Sequence, residues 1–290
     1  MKANDDDSNQ TESTALFNLK SVEGALHDIA EDCKKIVYLP EELATMREVK
    51  KRLQDEDQLT YVNPRFLAYL VVVCKNRVDE ATDKFRRYLK AIASCGMSNI
   101  ESDEDLWADP SVEQFLRDYY IPCGRDFDNR QILWIRSQKA ILESEEKTSI
   151  RAGILYVIAV HADPFSLREG ITFVIDTSNR GTFKQVGNES KLQKINQSMP
   201  FRPQAIYIAG ASPAMRIVIN GLIKIASFFT KQKILQRIRF VTLEEAMTRV
   251  PKKNGPRYLG GSGGGIDDVI EWTKRRYFEM PIPDLEDNSS

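Results

Sequence analysis

Ser212-Pro-Ala-Met-Arg-Ile-Val-Ile-Asn-Gly-Leu-Ile-Lys-Ile-Ala-Ser-Phe-Phe-Thr230 follows almost directly on Ala205-Ile-Tyr-Ile-Ala209. The shorter run has the length and the β-branched content of a buried strand. In the longer one Met215, Val218, Ile219, Leu222, Ile225, Ala226 and Phe229 recur at three- and four-residue spacing, which predicts a helix carrying them on one face. Arg216, Asn220, Lys224, Ser227 and Lys231 form a narrow opposite stripe, and Ile217, Ile223 and Phe228 widen the apolar surface. Such a helix must bury most of its circumference against protein, lipid or a bound apolar molecule. In an α/β protein the ordinary cover is the core itself. A basic segment follows, Lys231-Gln-Lys233-Ile-Leu-Gln-Arg237-Ile-Arg239, ordinarily a solvated helix end. If that turn is helical, Lys233 and Arg237 project from one face and can straddle a phosphate.

Outward from this pair, strand and helix patterns alternate. Gln131-Ile-Leu-Trp-Ile135 predicts a short strand, Thr148 to His161 a buried helix, and Gly170-Ile-Thr-Phe-Val-Ile-Asp176 a strand covered on both faces. A helical segment near Lys191 and a last strand at Ile238 to Val241 complete the series. This order predicts an α/β fold on a largely parallel sheet flanked by helices. Towards the N-terminus the pattern is helical. One helix begins after Pro40, where Glu41 and Glu42 suit the positive helix N-terminus. The apolar run Phe66 to Cys74 leads into another helix, with Val78, Ala81, Phe85, Tyr88, Leu89 and Ile92 on its apolar face and Gly96 as its stop. A short helix from Val112 to Tyr120 ends at Ile121-Pro122. The chain thus divides into a disordered tail (1–20), a helical domain (21–122), an α/β domain (123–280) and an acidic tail (281–290).

Composition excludes more than it identifies. The 290 residues are 42% hydrophobic and 29% charged with a net charge of −1. That balance gives no global pull toward nucleic acid, so anion binding must come from a local patch. Cys33, Cys74, Cys95 and Cys123 show no paired spacing and are expected to be reduced thiols of a cytoplasmic protein without a zinc site. The polar, acidic start is neither a secretory signal nor a transit peptide. The longest apolar candidate, Ile217 to Phe229, is too short to span a bilayer and is interrupted by Asn220 and Lys224. A soluble chain is expected.

Catalytic signals are lacking. Gly260-Gly-Ser-Gly-Gly-Gly265 has neither GK[ST] nor a GxGxxG register, and Asp267 and Asp268 suit a helix N-cap better than a phosphate. His27 and His161 have no metal-ligand spacing, no serine sits in GxSxG, and Asp163 and Asp176 are expected to end elements. The chain is expected not to be an enzyme.

Four segments in this order resemble the CRAL-TRIO lipid-transfer family, in particular its tocopherol-transfer and retinaldehyde-binding branch, over roughly residues 40 to 278. Asn129-Arg-Gln-Ile132 is similar to the Gly-Arg-Pro-Val stretch that opens the first strand. Ile171-Thr-Phe-Val-Ile-Asp176-Thr-Ser is similar to the central strand ending in Asp. Pro200-Phe-Arg-Pro-Gln-Ala-Ile-Tyr-Ile208 resembles the "FPxRxxxIHxI" segment, and Pro256-Arg-Tyr-Leu-Gly260-Gly261 has the spacing of the Pro-x-x-x-Gly-Gly turn. The departures are also specific. Tyr69-Leu-Val-Val-Val-Cys74-Lys75 lacks the arginines of the family's "LRFLRAR" stretch, and Gly255 replaces the Leu before the turn's Pro. Phe201 stands where the phosphatidylinositol-transfer branch has Glu.

The resemblance implies a CRAL-TRIO lipid-binding fold, with an N-terminal helical bundle before an α/β domain that encloses an apolar cavity. The apolar helix would be its movable lid. Phe173, Ile175, Ile206 and Ile208, with Met215, Val218, Ile219, Leu222, Ile225 and Phe229, would line the cavity. In the vitamin-transfer branch a basic cleft beside the lid binds phosphoinositide phosphates. Lys233 and Arg237 fall on matching positions, while a third family arginine aligns with Gln204 beside Arg202. The implied protein is a monomeric cytoplasmic carrier of a retinoid, tocopherol or other lipid, reversibly associated with phosphoinositide-bearing membranes. It needs no cofactor beyond that lipid. The alternative is a lipid-regulated adaptor or scaffold module in signalling or trafficking.

Overall fold

The computed structural model describes residues 32–136, 143–178, 198–217, 219 and 235–286. The tail 1–20, His27, the segment near Lys191 and most of the apolar helix with Lys233 lie outside these. Helices α1 (Pro40–Asp55), α2 (Pro64–Val73), α3 (Val78–Ala93), α4 (Asp103–Trp107) and α5 (Ser111–Tyr119) come first. Strands β1 (Tyr120–Ile121) and β2 (Ile132–Arg136) follow, then α6 (Glu146–His161), α7 (Pro164–Glu169), β3 (Ile171–Asp176), β4 (Pro203–Ala209), β5 (Ile238–Val241), α8 (Leu243–Met247) and α9 (Val269–Glu279).

The sheet runs β1-β2-β3-β4-β5. β2 through β5 are mutually parallel, and only the two-residue β1 is antiparallel. The predicted strands are present, with β5 beginning and ending at the predicted residues. Four short elements, β1, α4, α7 and α8, were not foreseen. The predicted helix through Tyr120 stops at Tyr119, where the chain turns extended to pair with β2. Asp103–Trp107 forms a helix capped by Ser102, whose hydroxyl accepts the Asp105 N–H.

α2 shows why the first helices hold. Asn63 caps it by accepting the Phe66 N–H at 3.0 Å, and Pro64 occupies the first turn, where a missing N–H costs nothing. All residues from Arg65 to Val73 are buried. Arg65, the one charged residue among them, pairs with Asp103 and donates to the Phe278 carbonyl at 3.1 Å. One apolar cluster joins Met46, Phe66 and Phe85 of α1 to α3 with Ile154, Tyr156 and Ile158 of α6 and Trp272 and Tyr277 of α9. The helices before the sheet therefore share their core with the α/β layer.

A buried ionic chain ties this core together. Arg276 of α9 and Asp163 are both fully buried and meet at 3.1 Å, while Arg276 Nε also donates to the Ala159 carbonyl at 2.7 Å. Arg125 reaches the same Asp163 oxygen at 3.4 Å and Asp32 at 3.1 Å. Asp163 additionally caps α7 by accepting the Phe165 and Ser166 N–H groups at 3.1 and 2.7 Å. Removing this carboxylate takes a charged partner from two buried guanidiniums and leaves α7 uncapped. Asp163→Ala should cost on the order of 3–5 kcal/mol in denaturant unfolding. Breaking the exposed Arg117–Asp268 pair with Arg117→Ala should cost less than about 1 kcal/mol.

His161 ends α6 inside the core. Its Nδ1–H donates to the Val157 carbonyl at 2.8 Å, and the Tyr69 ring lies 5.0 Å away. Burial pulls its pKa down to about 4 from 6.5, against the pull of that hydrogen bond and of Asp163. The unfolded chain thus binds this proton more readily between those two values. Stability falls as pH drops through that window, by about 3 kcal/mol for this group. Comparing unfolding free energies at pH 7 and pH 4, His161→Gln should show a correspondingly shallower loss than wild type.

Candidate functional site

Registered partners of parallel strands point to the same side of a sheet. Leu133 aligns with Phe173 and Ile135 with Ile175. Phe173 aligns in turn with Ile206 and Ile175 with Ile208. Ile206 then aligns with Ile238 and Ile208 with Phe240. Every side chain in these registered rows is apolar across four strands. On the central strand Thr172, Val174 and Asp176 are buried, whereas Phe173 and Ile175 are only half-buried. The inner face of the middle strand thus retains accessible apolar surface. Phe173 meets Phe201 edge-on at 5.6 Å.

The predicted apolar helix begins where the sequence places it. Residues 213–217 are helical, with Pro213 opening the turn and the Met215 N–H reaching Ser212 Oγ at 3.3 Å. Met215 packs with Ile208 and Ala211, and Ile219, Ile238 and Phe240 join them. Ile217 is 74% exposed. Phe173, Ile175, Ile206, Ile208, Met215 and Ile219 therefore gather on or against one face. Val218, Leu222, Ile225 and Phe229 lie outside the described residues.

At the N-terminal edge of β3 and β4 two arginines converge. Arg237 Nη1 donates to the Pro203 carbonyl at 2.6 Å, next to Arg202. Burial holds the pKa of half-buried Arg202 below the usual arginine range, and the nearby Arg237 acts in the same direction while Glu169 opposes it. Gly170 makes this corner possible. Its φ of +95° and its closeness to the Arg202 carbonyl leave no room for a Cβ. Gln204, at the position of the third family arginine, donates its amide to the Glu169 carbonyl. The helical spacing expected of Lys233 and Arg237 does not apply to Arg237. It sits in a turn after Leu235, because Ile238 must enter the sheet. Lys233 lies outside the described residues.

The opposite face is occupied by polar and aromatic anchors. Tyr258 Oη–H donates to the buried Asp176 carboxylate and accepts from Trp134 Nε1–H, the latter at 3.1 Å. Arg136 stacks on the Tyr258 ring at 4.1 Å and lies 3.7 Å from Asp176. This cluster pins the Pro256–Gly261 turn to the carboxyl ends of β2 and β3. Gly261 passes against the Gly255 carbonyl, where a Cβ would not fit.

Residues 118–261 match the family model of the CRAL/TRIO domain. Comparison with curated proteins finds no match for the chain. CRAL/TRIO domains form a family of lipid and small hydrophobic ligand binders. The matched residues contain the five-stranded sheet described above, with helices against it. Among the described residues no helix is long and apolar enough to cross a membrane.

The remaining sequence candidates take other places around the sheet. In the glycine run, backbone N–H groups are already used within the turn: Gly260 donates to Arg257, Gly261 to Pro256, Ser262 to Lys253 and Gly263 to Gly255. Asp268 caps α9 as expected, but Asp267 instead pairs with Arg257 at 2.5 Å. Asp176 ends β3, and Asp163 caps α7. All four cysteines are buried thiols, with Cys33 pushed up to about 11 chiefly by burial. Arg136 and Tyr258 carry roles the sequence did not signal. Tyr258→Phe leaves Asp176 and Trp134 Nε1 without that partner, so thermal unfolding should show a loss of about 1–3 kcal/mol.

Proposed function

We propose that this protein is a non-enzymatic carrier that holds a hydrophobic small molecule against the inner face of its sheet. The helix starting at residue 213 acts as the lid. The carrying observation is the half-buried pair Phe173 and Ile175 on the central strand of an otherwise wholly apolar face. Apolar surface buried there contributes about 25 cal/mol per Å², so a terpenoid or acyl chain needs few polar contacts. A retinoid, a tocopherol or another lipid fits this chemistry, and no further cofactor is required.

Exchange takes place at a membrane bearing phosphoinositides, in the cytoplasm, reversibly and as a monomer. Two features support that reading. Ile217 stands exposed on the lid helix beside Arg216, the pairing of apolar and cationic residues found in interfacial helices. Arg202 and Arg237 lie close enough for their like charges to oppose each other, and a phosphate placed between them relieves that repulsion. Lys233 adds a third cation by sequence.

The two halves of this proposal separate experimentally. Arg202→Ala with Arg237→Ala should weaken sedimentation with phosphoinositide-containing liposomes on the order of thirty-fold, at about 1 kcal/mol per cation, while ligand retention persists. Unchanged liposome binding would refute the basic corner. Ile175→Asp should abolish lipid transfer between vesicles in a protein whose circular dichroism remains native. Wild-type transfer by that variant would refute the sheet face as the ligand site.

A further inference from the structure

On the anchored side of the sheet lies a cavity of about 220 Å³. Thr172 and Ala205, partners in register near the start of β3 and β4, line it. They alternate with Phe173 and Ile206, so they point away from the proposed lipid surface. The loop from Asp126 to Arg130 and the end of α8, with Arg249, close the other sides. The cavity falls below the range of drug-sized ligand pockets and suits a molecule of about ten non-hydrogen atoms.

One wall is held rigidly. Asp126 Oδ1 accepts the Asp128 and Arg130 N–H groups at 3.0 and 2.8 Å, and Oδ2 accepts the Thr172 hydroxyl at 2.5 Å. The loop is thereby tied to β3, and both oxygens of this carboxylate are engaged. Asp128 is answered in turn by Arg130 Nη1 at 2.8 Å. What stays unsatisfied around the cavity is donor capacity. Among the described residues no carboxylate pairs with the exposed Arg249 guanidinium, and the Tyr207 hydroxyl bonds to none of them. Arg130 Nε–H is buried without a hydrogen-bond partner among them, a condition proteins rarely leave unmet. The Phe127 ring, 68% exposed, and the Ala205 methyl add apolar surface at the same place.

We propose that this cavity binds a small molecule bearing one carboxylate on a compact apolar or aromatic body. The carboxylate takes the Arg249 fork as a bidentate partner, with Tyr207 and Arg130 as further donors. The body rests against Phe127 and Ala205. A phosphate dianion would meet stronger repulsion from Asp126 and Asp128 than a monoanionic carboxylate does.

Titration of the full chain with phenylacetate, followed by saturation-transfer NMR, tests this. The wild type should bind phenylacetate with a Kd of about 1 mM or tighter. Phenylacetamide, which has the same shape without the charge, should bind about tenfold more weakly. Arg249→Gln should weaken phenylacetate binding about tenfold and Tyr207→Phe about threefold, each with native circular dichroism. Absent binding, equal binding of acid and amide, or binding undiminished by Arg249→Gln would overturn the proposal. Inorganic phosphate that binds more tightly than phenylacetate, and does so only with Arg249 present, would assign the cavity to phosphate groups and equally overturn it.

Discussion

Four parallel strands laid side by side in chain order constrain everything around them. A parallel crossover is right-handed almost without exception, so strands added in one direction send their connections over the same face. The described connections obey this. α6 shares a core with Leu133, and the helix that starts at residue 213 lays Met215 on Ile208. Both elements meet the side of the sheet that carries only apolar residues. The opposite side is closed by the C-terminal segment, where Leu243, Met247 and Leu259 pack around Trp134 and Val174. The apolar face and the anchored face are thereby separated by the thickness of one sheet.

That separation gives each face its own energetics. The anchored face relies on Tyr258, Trp134 and Arg136 around a buried Asp176, groups whose hydrogen bonds become expensive to break once water is excluded. Behind the inner face, the Arg276–Asp163–Arg125 chain fixes α9, the start of α7 and the loop before β2 to one another. Among the described residues the inner face carries no such network. Its side chains need only shape and apolarity, which suits a surface that exchanges one hydrophobic molecule for water or for lipid. The two arginines stand at its N-terminal edge, outside the apolar zone.

Local pattern made most of this architecture legible. The strands at Ile171–Asp176 and Ile238–Val241 are near-continuous apolar runs, and α6 is buried nearly all round, so period and length sufficed to read them. β1 escaped because two residues carry no period. α4 escaped although Ser102 and Asp105 offered a capping signal. The Asp176–Tyr258 contact joins residues 82 positions apart, and nothing local in either stretch announces the other. Arg237 shows the limit of spacing arguments. Its distance from Lys233 fits a helix, yet the pairing of Ile238 with Ile206 draws it into a turn. There it meets Arg202, a neighbour that only the sheet register supplies.

The central claim is that the apolar inner face holds a small hydrophobic molecule, and its most direct measurement is mass spectrometry of an organic extract of the purified full chain. The account predicts one class of hydrophobic molecule at close to one per protein, recovered again after the emptied protein is offered a mixed lipid extract. A protein that yields no such molecule and takes up none from the mixture would contradict it.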